Sequence, residues 1–593
     1  MSDSKVTGKA FDLQLLRRIL SYAAPYKGRF YFGLFLTLFI SVLSTSRPIL
    51  IQYTIDHYVV PTTGEPNATW LGYMMLIMVG VLILETLVQF GSIYITNWLG
   101  QNIIKDMRMQ LYRHILAFKM KYFDQTPIGT LVTRAVSDIE TISNIFSQGI
   151  IVIFGDLFKL AVVLVTMFVY NWRLALLSLA IMPFLIFAAR IFQRAIKRAF
   201  SDVRTEVSRL NAFVQEHLTG MRIVQIFNRE DQEFAKFEEI NRAHMKANIR
   251  SIWHFSIFLP VVEISSAISI GLIVWWGGIH AALEDGVTLG DLIAFILFVN
   301  MMFRPIRQLA DRFNTLQMGM VSSERVFKVL DTDFIIPNEG SLRLDKVNGH
   351  IEFKDVVFGY NPDEPVLKGI SFEVNEGQTL ALVGATGAGK TSIINLLSRF
   401  YEISEGKITI DGNDIHEVEL QDLRSHIAIV LQDVFLFSDS IYNNITLNEE
   451  IPIERIEEAA KIIGVNEFID SLPGRYEYNV RERGGMLSAG QRQLISFLRA
   501  YISSPSVLIL DEATSSVDTH TEQLIQRAID KLTENRTSIV IAHRLATIQK
   551  ADQILVLEKG RIVERGSHQE LLRQNGKYKE LYELQFANEA PLA

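Results

Sequence analysis

The chain has 593 residues, of which 49 % are hydrophobic, with a mean hydropathy of +0.20 and a formal net charge of −7. This length predicts about two to four domains, and the acidic balance gives no basic field that would favour a nucleic-acid partner. The absence of cysteine excludes disulfides, thiol catalysis and cysteine-ligated zinc. The first ten residues are polar, so we expect no cleavable signal peptide.

Long apolar runs fill the N-terminal half. Residues 11–28 alternate apolar and basic positions as an amphipathic interfacial helix does. Runs of about 20 apolar residues, the length that a bilayer requires, follow at 30–52, 71–98, 147–170, 173–195, 253–278 and 289–304. We predict an N-terminal interfacial helix over 1–28 and an all-α membrane domain of six helices over 29–330.

Basic residues predict the orientation of these spans. The loops at 60–70 and 279–288 contain no Lys or Arg. The opposite side carries Lys105, Arg108, Arg113, Lys119, Lys121, Arg134, Arg190, Arg194, Lys197 and Arg198. Because basic loops stay in the cytosol, we expect a multi-pass protein of the cell (inner) membrane with both termini in the cytoplasm. The glycosylation-like triplet that begins at Asn67 is interpreted as a chance match.

Two inner loops, 98–146 and 196–252, are unusually long. Their apolar spacing predicts helices, which at 1.5 Å per residue would carry each arm roughly 40 Å beyond the bilayer. The arms would end in knobs near Pro127–Gly129 and Gly220–Val224. The alternative is a separate cytosolic domain, for which about 50 residues is short.

Several ionisable residues fall inside the apolar spans, where charge is costly and usually faces a bundle interior or a wet cavity. They are Arg47, Glu85, Asp156, Lys159 and Glu263. The spacing of Asp156 and Lys159 favours an ion pair on one helix. Glu85 and Glu263 have no obvious local partner. We therefore assign Glu85, Asp156 and Glu263 to a cargo cavity, with the hypothesis that the carboxylates favour cationic amphiphiles.

The C-terminal half reads as a soluble α/β domain over 349–587, after a polar linker at 331–348 and before a short tail at 588–593. Its central motif follows an apolar strand, 379–383, and opens a helix. The motif is Gly384, Ala385, Thr386, Gly387, Ala388, Gly389, Lys390, Thr391 and Ser392. This is a phosphate-binding P-loop: glycines admit backbone N–H groups, lysine adds a cation and threonine offers a hydroxyl to Mg²⁺.

Further polar residues follow predicted strands or open predicted helices. Asp511 and Glu512 end a buried strand, as a magnesium-holding acid and a base for the attacking water do. His543 follows the last strand of this series, and Gln432 follows an earlier one. Leu487, Ser488, Ala489, Gly490 and Gln491 open a helix whose N-terminus suits an anion. Tyr360 closes the first strand, and Ser515 and Asp518 lie in a loop.

This order of motifs resembles the ATP-binding cassette transporters, in the exporter branch that fuses membrane and nucleotide-binding domains, from about residue 12 to 587. The resemblance implies ATP and Mg²⁺ as cofactors. It implies that Tyr360 stacks on adenine, that Thr391, Gln432 and Asp511 hold Mg²⁺, and that Glu512, His543 and Gln432 serve catalysis. It also likens Phe123–Asp138 and Glu216–Glu230 to coupling loops, and Glu482 to a loop that senses cargo.

The family requires two nucleotide-binding domains, so the resemblance implies a dimer in which Leu487–Gln491 and Asp518 serve the partner's ATP. The usual signature has glycine at position 489, and Ala489 leaves the choice between a homodimer, which we favour, and a heterodimer open. We expect ATP-driven export of amphipathic drug-like or lipid molecules. The alternatives are a lipid or glycolipid flippase, half of a heterodimeric multidrug exporter and, more remotely, an ATP-gated channel or regulatory subunit. The apolar spans exclude a soluble chromosome-maintenance ATPase.

Overall fold

The computed structural model describes residues 13–60, 67–283, 285–336, 340–361, 363–511, 519–542 and 544–586. The chain divides into two compact units. The helical unit comprises Met1–Leu116 and Ile128–Asp333. The sheet unit comprises Ala117–Pro127 and Phe334–Ala593, so it includes the end of the first predicted arm, and its boundary falls inside the predicted linker.

The described part of the helical unit is built of long helices. Its α-helices are α1 (Leu13–Ser21), α2 (Lys27–Thr54), α3 (Ala68–Leu116), then, beyond the short α4 (Met120–Gln125) of the sheet unit, α5 (Ile128–Thr133), α6 (Ile139–Asn144), α7 (Ile151–Tyr170), α8 (Trp172–Leu179), α9 (Met182–Thr219), α10 (Met221–Ile226), α11 (Glu230–Leu272), α12 (Gly278–Ala282) and α13 (Leu289–Leu330). Single π-helical turns continue several of them, at Ile55–Val59, Arg134–Asp138, Ile145–Ile150 and Ile273–Gly277. The prediction that both long inner loops are helical is confirmed.

Local residues explain where helices break. The predicted interfacial helix ends at Ser21 instead of residue 28, because Pro25 begins a separate 3-10 turn, Ala24–Tyr26. Asn171 alone separates α7 from α8, and its side-chain oxygen accepts hydrogen bonds from the backbone N–H of Arg173 and Leu174, at 3.2 Å each. Such an N-cap starts a new helix immediately.

Among the described residues, five continuous helices are long and apolar enough to cross a membrane: Ala24–Val59, Ala68–Leu116, Ile128–Tyr170, Trp172–Thr219 and Glu230–Ala282. Their apolar side chains are widely exposed, as for Phe90 (70 %) and Val169 (75 %), which suits a lipid environment. The predicted sixth span, 289–304, lies in α13, which is not among these five. A count of six therefore stays a prediction.

Close approach between helices depends on small residues. A Cβ on Gly155 of α7 would lie 2.3 Å from the Thr37 methyl of α2, and one on Gly319 of α13 would lie 2.2 Å from Ile145. Ser41 donates a hydrogen bond across the first of these contacts, to the Gly155 carbonyl at 3.4 Å. Helices α2, α7 and α13 are thereby held close together.

The described part of the sheet unit contains two sheets. The antiparallel sheet has the order β2 (Leu367–Val374), β1 (Ile351–Phe358), β4 (Glu405–Ile410), β5 (Asn413–Asp414). The larger sheet has the order β10 (Arg561–Gly566), β9 (Gln553–Glu558), β3 (Thr379–Val383), β8 (Thr537–Ile541), β7 (Val507–Asp511), β6 (Ile427–Val430). All its neighbours pair in parallel except β9 and β10. The strands predicted before the phosphate loop and before Gln432, Glu512 and His543 are confirmed.

Helices accompany the parallel strands, and buried apolar residues of β3, β7 and β8 face two separate hydrophobic clusters. The helices are α14 (Lys390–Leu397), α15 (Leu420–Ser425), α16 (Ile441–Thr446), α17 (Ile453–Ile463), α18 (Asn466–Asp470), α19 (Ala489–Ile502), α20 (Thr519–Thr533), α21 (Leu545–Lys550), α22 (His568–Gln574) and α23 (Lys577–Phe586). Burial on both faces is why these strands are continuous apolar runs in the sequence.

The first predicted knob packs within the sheet unit. Lys119 N–H donates to the Phe334 carbonyl at 2.8 Å, and Ile336 N–H donates to the Ala117 carbonyl at 3.2 Å. The Tyr122 ring lies 5.8 Å from the Phe334 ring. Part of the predicted linker is also fixed there, because Leu342 exchanges backbone hydrogen bonds with Glu417 and Glu419.

A buried carboxylate joins two helices of the helical unit. Asp138 is 5 % exposed and accepts hydrogen bonds from Arg134 and from Ser322 of α13, the latter at 2.9 Å. Arg325 of α13 lies 3.7 Å away. We expect Asp138→Asn to destabilise the helical unit by about 2 kcal/mol, less than for a fully buried pair because both arginines are partly exposed.

The measurement is thermal unfolding followed by tryptophan fluorescence, since all six tryptophans lie in the helical unit. Asp202→Asn is the matched control, because Asp202 is exposed and lies 3.6 Å from Arg250. Equal unfolding temperatures for the two variants would contradict the role given to Asp138.

Candidate nucleotide-binding site

The phosphate loop lies between β3 and α14, as predicted. Gly387 and Gly389 have φ angles of +81° and +106°, in the left-handed region that favours glycine. A Cβ on Gly389 would also lie 2.7 Å from Leu367. The loop therefore keeps a glycine-dependent backbone conformation directly before the start of α14, and the N-terminus of a helix suits phosphate.

Lys390 is folded back over this loop. Its Nζ donates hydrogen bonds to the carbonyl oxygens of Gly384, at 2.6 Å, and Ala385, at 3.2 Å. The side chain is only 9 % exposed. Burial lowers the pKa of Lys390, and the negative charge of Asp511 opposes that change. A desolvated ammonium beside the loop is well placed to attract a phosphate.

Sheet topology brings the predicted polar residues to one edge. The strands β3, β8, β7 and β6 are parallel neighbours, so their carboxyl ends lie at the same edge of the sheet. Ligands of such sheets bind at the carboxyl ends of the strands. Asp511 ends β7, and Gln432 is exposed two residues beyond β6. Glu512, Ser515, Asp518 and His543 lie outside the described residues.

The oxygen donors at this edge fit Mg²⁺. They are the Thr391 hydroxyl, the Gln432 amide oxygen and the Asp511 carboxylate. The described residues contain no group of three or more His, Cys, Asp or Glu that could hold a metal by itself. Mg²⁺ usually binds through one or two carboxylates together with substrate phosphates and water.

Tyr360 is anchored beside α14. Its hydroxyl lies 3.3 Å from Ser392 Oγ and accepts a hydrogen bond from Asn395 Nδ2 at 3.2 Å. The ring packs edge-on against Tyr401, with centroids 5.0 Å apart. The predicted adenine contact thus lies next to the phosphate loop.

Tyr401 connects this aromatic cluster to the segment 117–127. Its hydroxyl donates to Asp124 Oδ2. Burial and then that hydrogen bond raise the pKa of Tyr401, so the phenol stays a donor at neutral pH. Sequence reasoning missed Tyr401, and no spacing pattern marks it, because its partner is 277 positions away in the chain.

The signature-like segment begins α19 with a capping box. Ser488 Oγ accepts from the Gln491 N–H at 3.2 Å, and Gln491 Oε1 accepts from the Ser488 N–H at 2.9 Å. Ala489 is not among the described residues with positive φ, so its methyl group imposes no backbone strain. Within the described chain, no hydrogen bond joins Leu487–Gln491 to the phosphate loop.

Apart from this site, a polar cavity lies in the helical unit. It has a volume of about 340 Å³, and its walls come from α2, α3, α7 and α13. Glu85 and Asp156 line it, whereas Glu263 on α11 is not part of its described lining. Glu85 has no partner close to it in the sequence, but Arg47 of α2 donates a hydrogen bond to it in the folded chain. The expected Asp156–Lys159 pair is wrong: Asp156 lies 4.0 Å from Arg312.

The Tyr401 contact can be tested within the sheet unit. Tyr401→Phe removes the hydroxyl but keeps the ring, so we expect the amides of residues 117–127 to exchange with solvent about fivefold to tenfold faster. Hydrogen exchange read by mass spectrometry measures this. Tyr442→Phe is the control, since it loses a hydrogen bond to the Ile451 carbonyl instead. Unchanged exchange in Tyr401→Phe would show that the bond does not hold the segment.

Comparison with known proteins agrees with this geometry. A family model described as the ABC transporter transmembrane region matches residues 30–306, and one described as ABC transporter matches residues 367–515. The ABC transporter ATP-binding protein YknV of Bacillus subtilis is 37 % identical over 590 residues, which are 99 % of this chain and 97 % of that protein.

Other relatives carry functional names. A probable multidrug resistance ABC transporter ATP-binding/permease protein of Bacillus subtilis, YheH, is 37 % identical over 528 residues, 88 % of this chain and 78 % of its own. An ATP-dependent lipid A-core flippase of Syntrophus aciditrophicus is 32 % identical over 576 residues, which are 97 % of this chain and 95 % of that protein. Both halves match and the relatives cover nearly the whole length: the chain belongs to the ATP-binding cassette transporters, with its membrane and nucleotide-binding domains on one chain.

Proposed function

We propose that this protein is an ATP-driven exporter that moves amphipathic drug-like or lipid molecules out of the cytoplasm or the inner leaflet by alternating access. The observation that carries the proposal is the phosphate loop at the shared edge of β3, β8, β7 and β6, on a chain whose described part contains five helices fit to cross a membrane. Relatives named as multidrug exporters and as lipid A-core flippases support both cargo classes.

The residues at the sheet edge divide the work of ATP hydrolysis. Loop N–H groups and Lys390 bind the β- and γ-phosphates, with Lys390 exchanging the carbonyls of Gly384 and Ala385 for phosphate oxygens. Thr391, Gln432 and Asp511 would hold Mg²⁺, which neutralises developing phosphate charge when bound. Glu512 accepts a proton from the attacking water, and His543 contacts the γ-phosphate.

The ATP site requires a second subunit in this proposal. The signature-like segment Leu487–Gln491 is capped by its own side chains and serves, with Asp518, the nucleotide of the partner. A homodimer is favoured, because Ala489 fits the helix start without strain and the phosphate loop has its lysine. The knob around α10 adds support, since Ile223 and Phe227 expose 60 % and 67 % of their surface.

We infer the orientation from charge. Because basic residues concentrate in the two long helical arms and basic segments stay in the cytosol, the arms, both termini and the sheet unit would lie in the cytoplasm of a cell with this protein in its inner membrane. ATP is then available to the phosphate loop. ATP drives transport because it binds one conformation of the dimer more tightly than the other.

ATP hydrolysis by the full chain, expressed alone and placed in lipid nanodiscs, tests the proposal. Glu512→Gln keeps the size of the side chain but removes the base, so we expect the rate to fall about 100-fold or more. The Lys390→Ala variant should lose ATP binding as well as ATP hydrolysis. Glu534→Gln is the control, because Glu534 is an exposed carboxylate of the same unit that pairs only with Lys531 among the described residues.

If the Glu512→Gln variant hydrolysed ATP at the wild-type rate, the assignment of Glu512 as the base would be disproved. A folded chain that binds ATP without hydrolysing it would instead indicate a heterodimer, and then the missing half-transporter should restore activity.

A further inference from the structure

The cavity in the helical unit carries more positive than negative charge among its described residues. Glu85, Asp156, Lys159, Arg304 and Arg312 line it, and Arg47 reaches Glu85 from beside it. Four cations thus accompany two carboxylates. Both carboxylates are engaged, Glu85 by Arg47 and Asp156 by Arg312 at 4.0 Å.

Two cations are left over. Neither Lys159 of α7 nor Arg304 of α13 has a hydrogen bond or ion pair with another described residue. Lys159 is half-buried, and its charged neighbours are Arg304, Glu85, Asp156 and Arg47. The two cations therefore add to each other's field instead of cancelling it.

The position of these cations makes the imbalance significant. Lys159 lies in the middle of α7, which belongs to a membrane-spanning candidate, and Arg304 lies where the predicted span of α13 ends. A cation at membrane depth is costly unless water or an anion accompanies it. A mobile anion that enters the cavity would remove this cost.

The cavity also offers neutral donors and an apolar wall. The Gln89 amide lines it and makes no hydrogen bond to another described residue, so it is free to donate to an oxyanion. Ile93, Ile151 and Met301 line the same cavity. A volume of about 340 Å³ is at the lower end of drug-sized pockets, which suits a headgroup whose chains extend elsewhere.

We propose that this cavity binds the anionic headgroup of an amphiphile, such as a phosphate or phosphodiester, between Lys159 and Arg304. The inference deepens the proposed function by naming the charge class of the cargo, and it rests on that function. It replaces the hypothesis of a cationic cargo, because of the two carboxylates that prompted it, Glu85 is paired with Arg47 and Glu263 is not part of the described lining of the cavity.

Binding is measured on the full-length purified chain in a non-ionic detergent without ATP. Three amphiphiles with monounsaturated chains of the same length serve as probes: oleoyl lysophosphatidic acid as the anion, oleoyl lysophosphatidylcholine as the zwitterion and oleyltrimethylammonium as the cation. Inorganic phosphate serves as a headgroup without a chain. Tryptophan fluorescence serves as the readout, since every tryptophan is in the helical unit.

We expect lysophosphatidic acid to bind at least about tenfold more tightly than either other amphiphile, and Lys159→Gln and Arg304→Gln each to weaken it about tenfold. Lys159→Arg keeps the charge and should keep most of the affinity. Arg194→Gln is the matched control, because Arg194 is exposed on α9 and does not line the cavity. If inorganic phosphate bound as tightly as the lipid, the cavity would be a site for a free anion, and the proposal that it binds an amphiphile would be overturned.

Equal or tighter binding of the cationic amphiphile would overturn the proposal, as would unaltered affinity in a folded Lys159→Gln, Arg304→Gln double variant. The latter result would mean that a carboxylate of a second copy neutralises the cations. These outcomes are separate from failure of the proposed function, which the loss of ATP hydrolysis in Glu512→Gln tests without any cargo.

Discussion

The parallel pairing of β3, β8, β7 and β6 is the constraint on which the nucleotide site depends. The phosphate loop, Gln432 and Asp511 come from stretches separated by tens of residues, and only the common direction of their strands brings the ends together. Three of these strands are held there by burial on both faces: β8 is buried along all five residues, and β3 and β7 along four each.

Lys390 illustrates how the protein keeps a cation ready for a phosphate. Burial removes water from its ammonium, and the carbonyls of Gly384 and Ala385 replace part of that hydration. A carbonyl compensates a charge less completely than a carboxylate does, so a phosphate anion remains the stronger partner. The glycines make this possible because they let the loop carbonyls turn toward the lysine.

The same physical reasoning applies to the cavity of the helical unit. There Arg47 and Arg312 have carboxylate partners, whereas Lys159 and Arg304 do not among the described residues. The paired and the uncompensated charges of this membrane domain therefore have different roles. Paired charges join helices, as Asp138 also does, and uncompensated ones are available to a ligand.

The sequence alone determined the fold class, the helical arms and the identity of the phosphate loop. It did so because local signals are strong in each case: apolar runs of bilayer length, and glycines spaced around a lysine after a buried strand. The strands that precede Gln432 and end at Asp511 were predicted from the same kind of signal, since each is a continuous apolar run, although β7 is buried along four residues and β6 only at Val430.

Tertiary structure alone decided which charges meet. Asp156 could have paired with Lys159 on its own helix, yet it faces Arg312 of another, and Glu85 finds Arg47 across 38 positions. Tyr401 meets Asp124 across 277 positions. Ion pairs and hydrogen bonds between helices depend on how the helices are rotated and spaced, which the close contacts at Gly155 and Gly319 set. No periodicity within one segment contains that information, so the charge balance of the cavity could be found only in the folded chain.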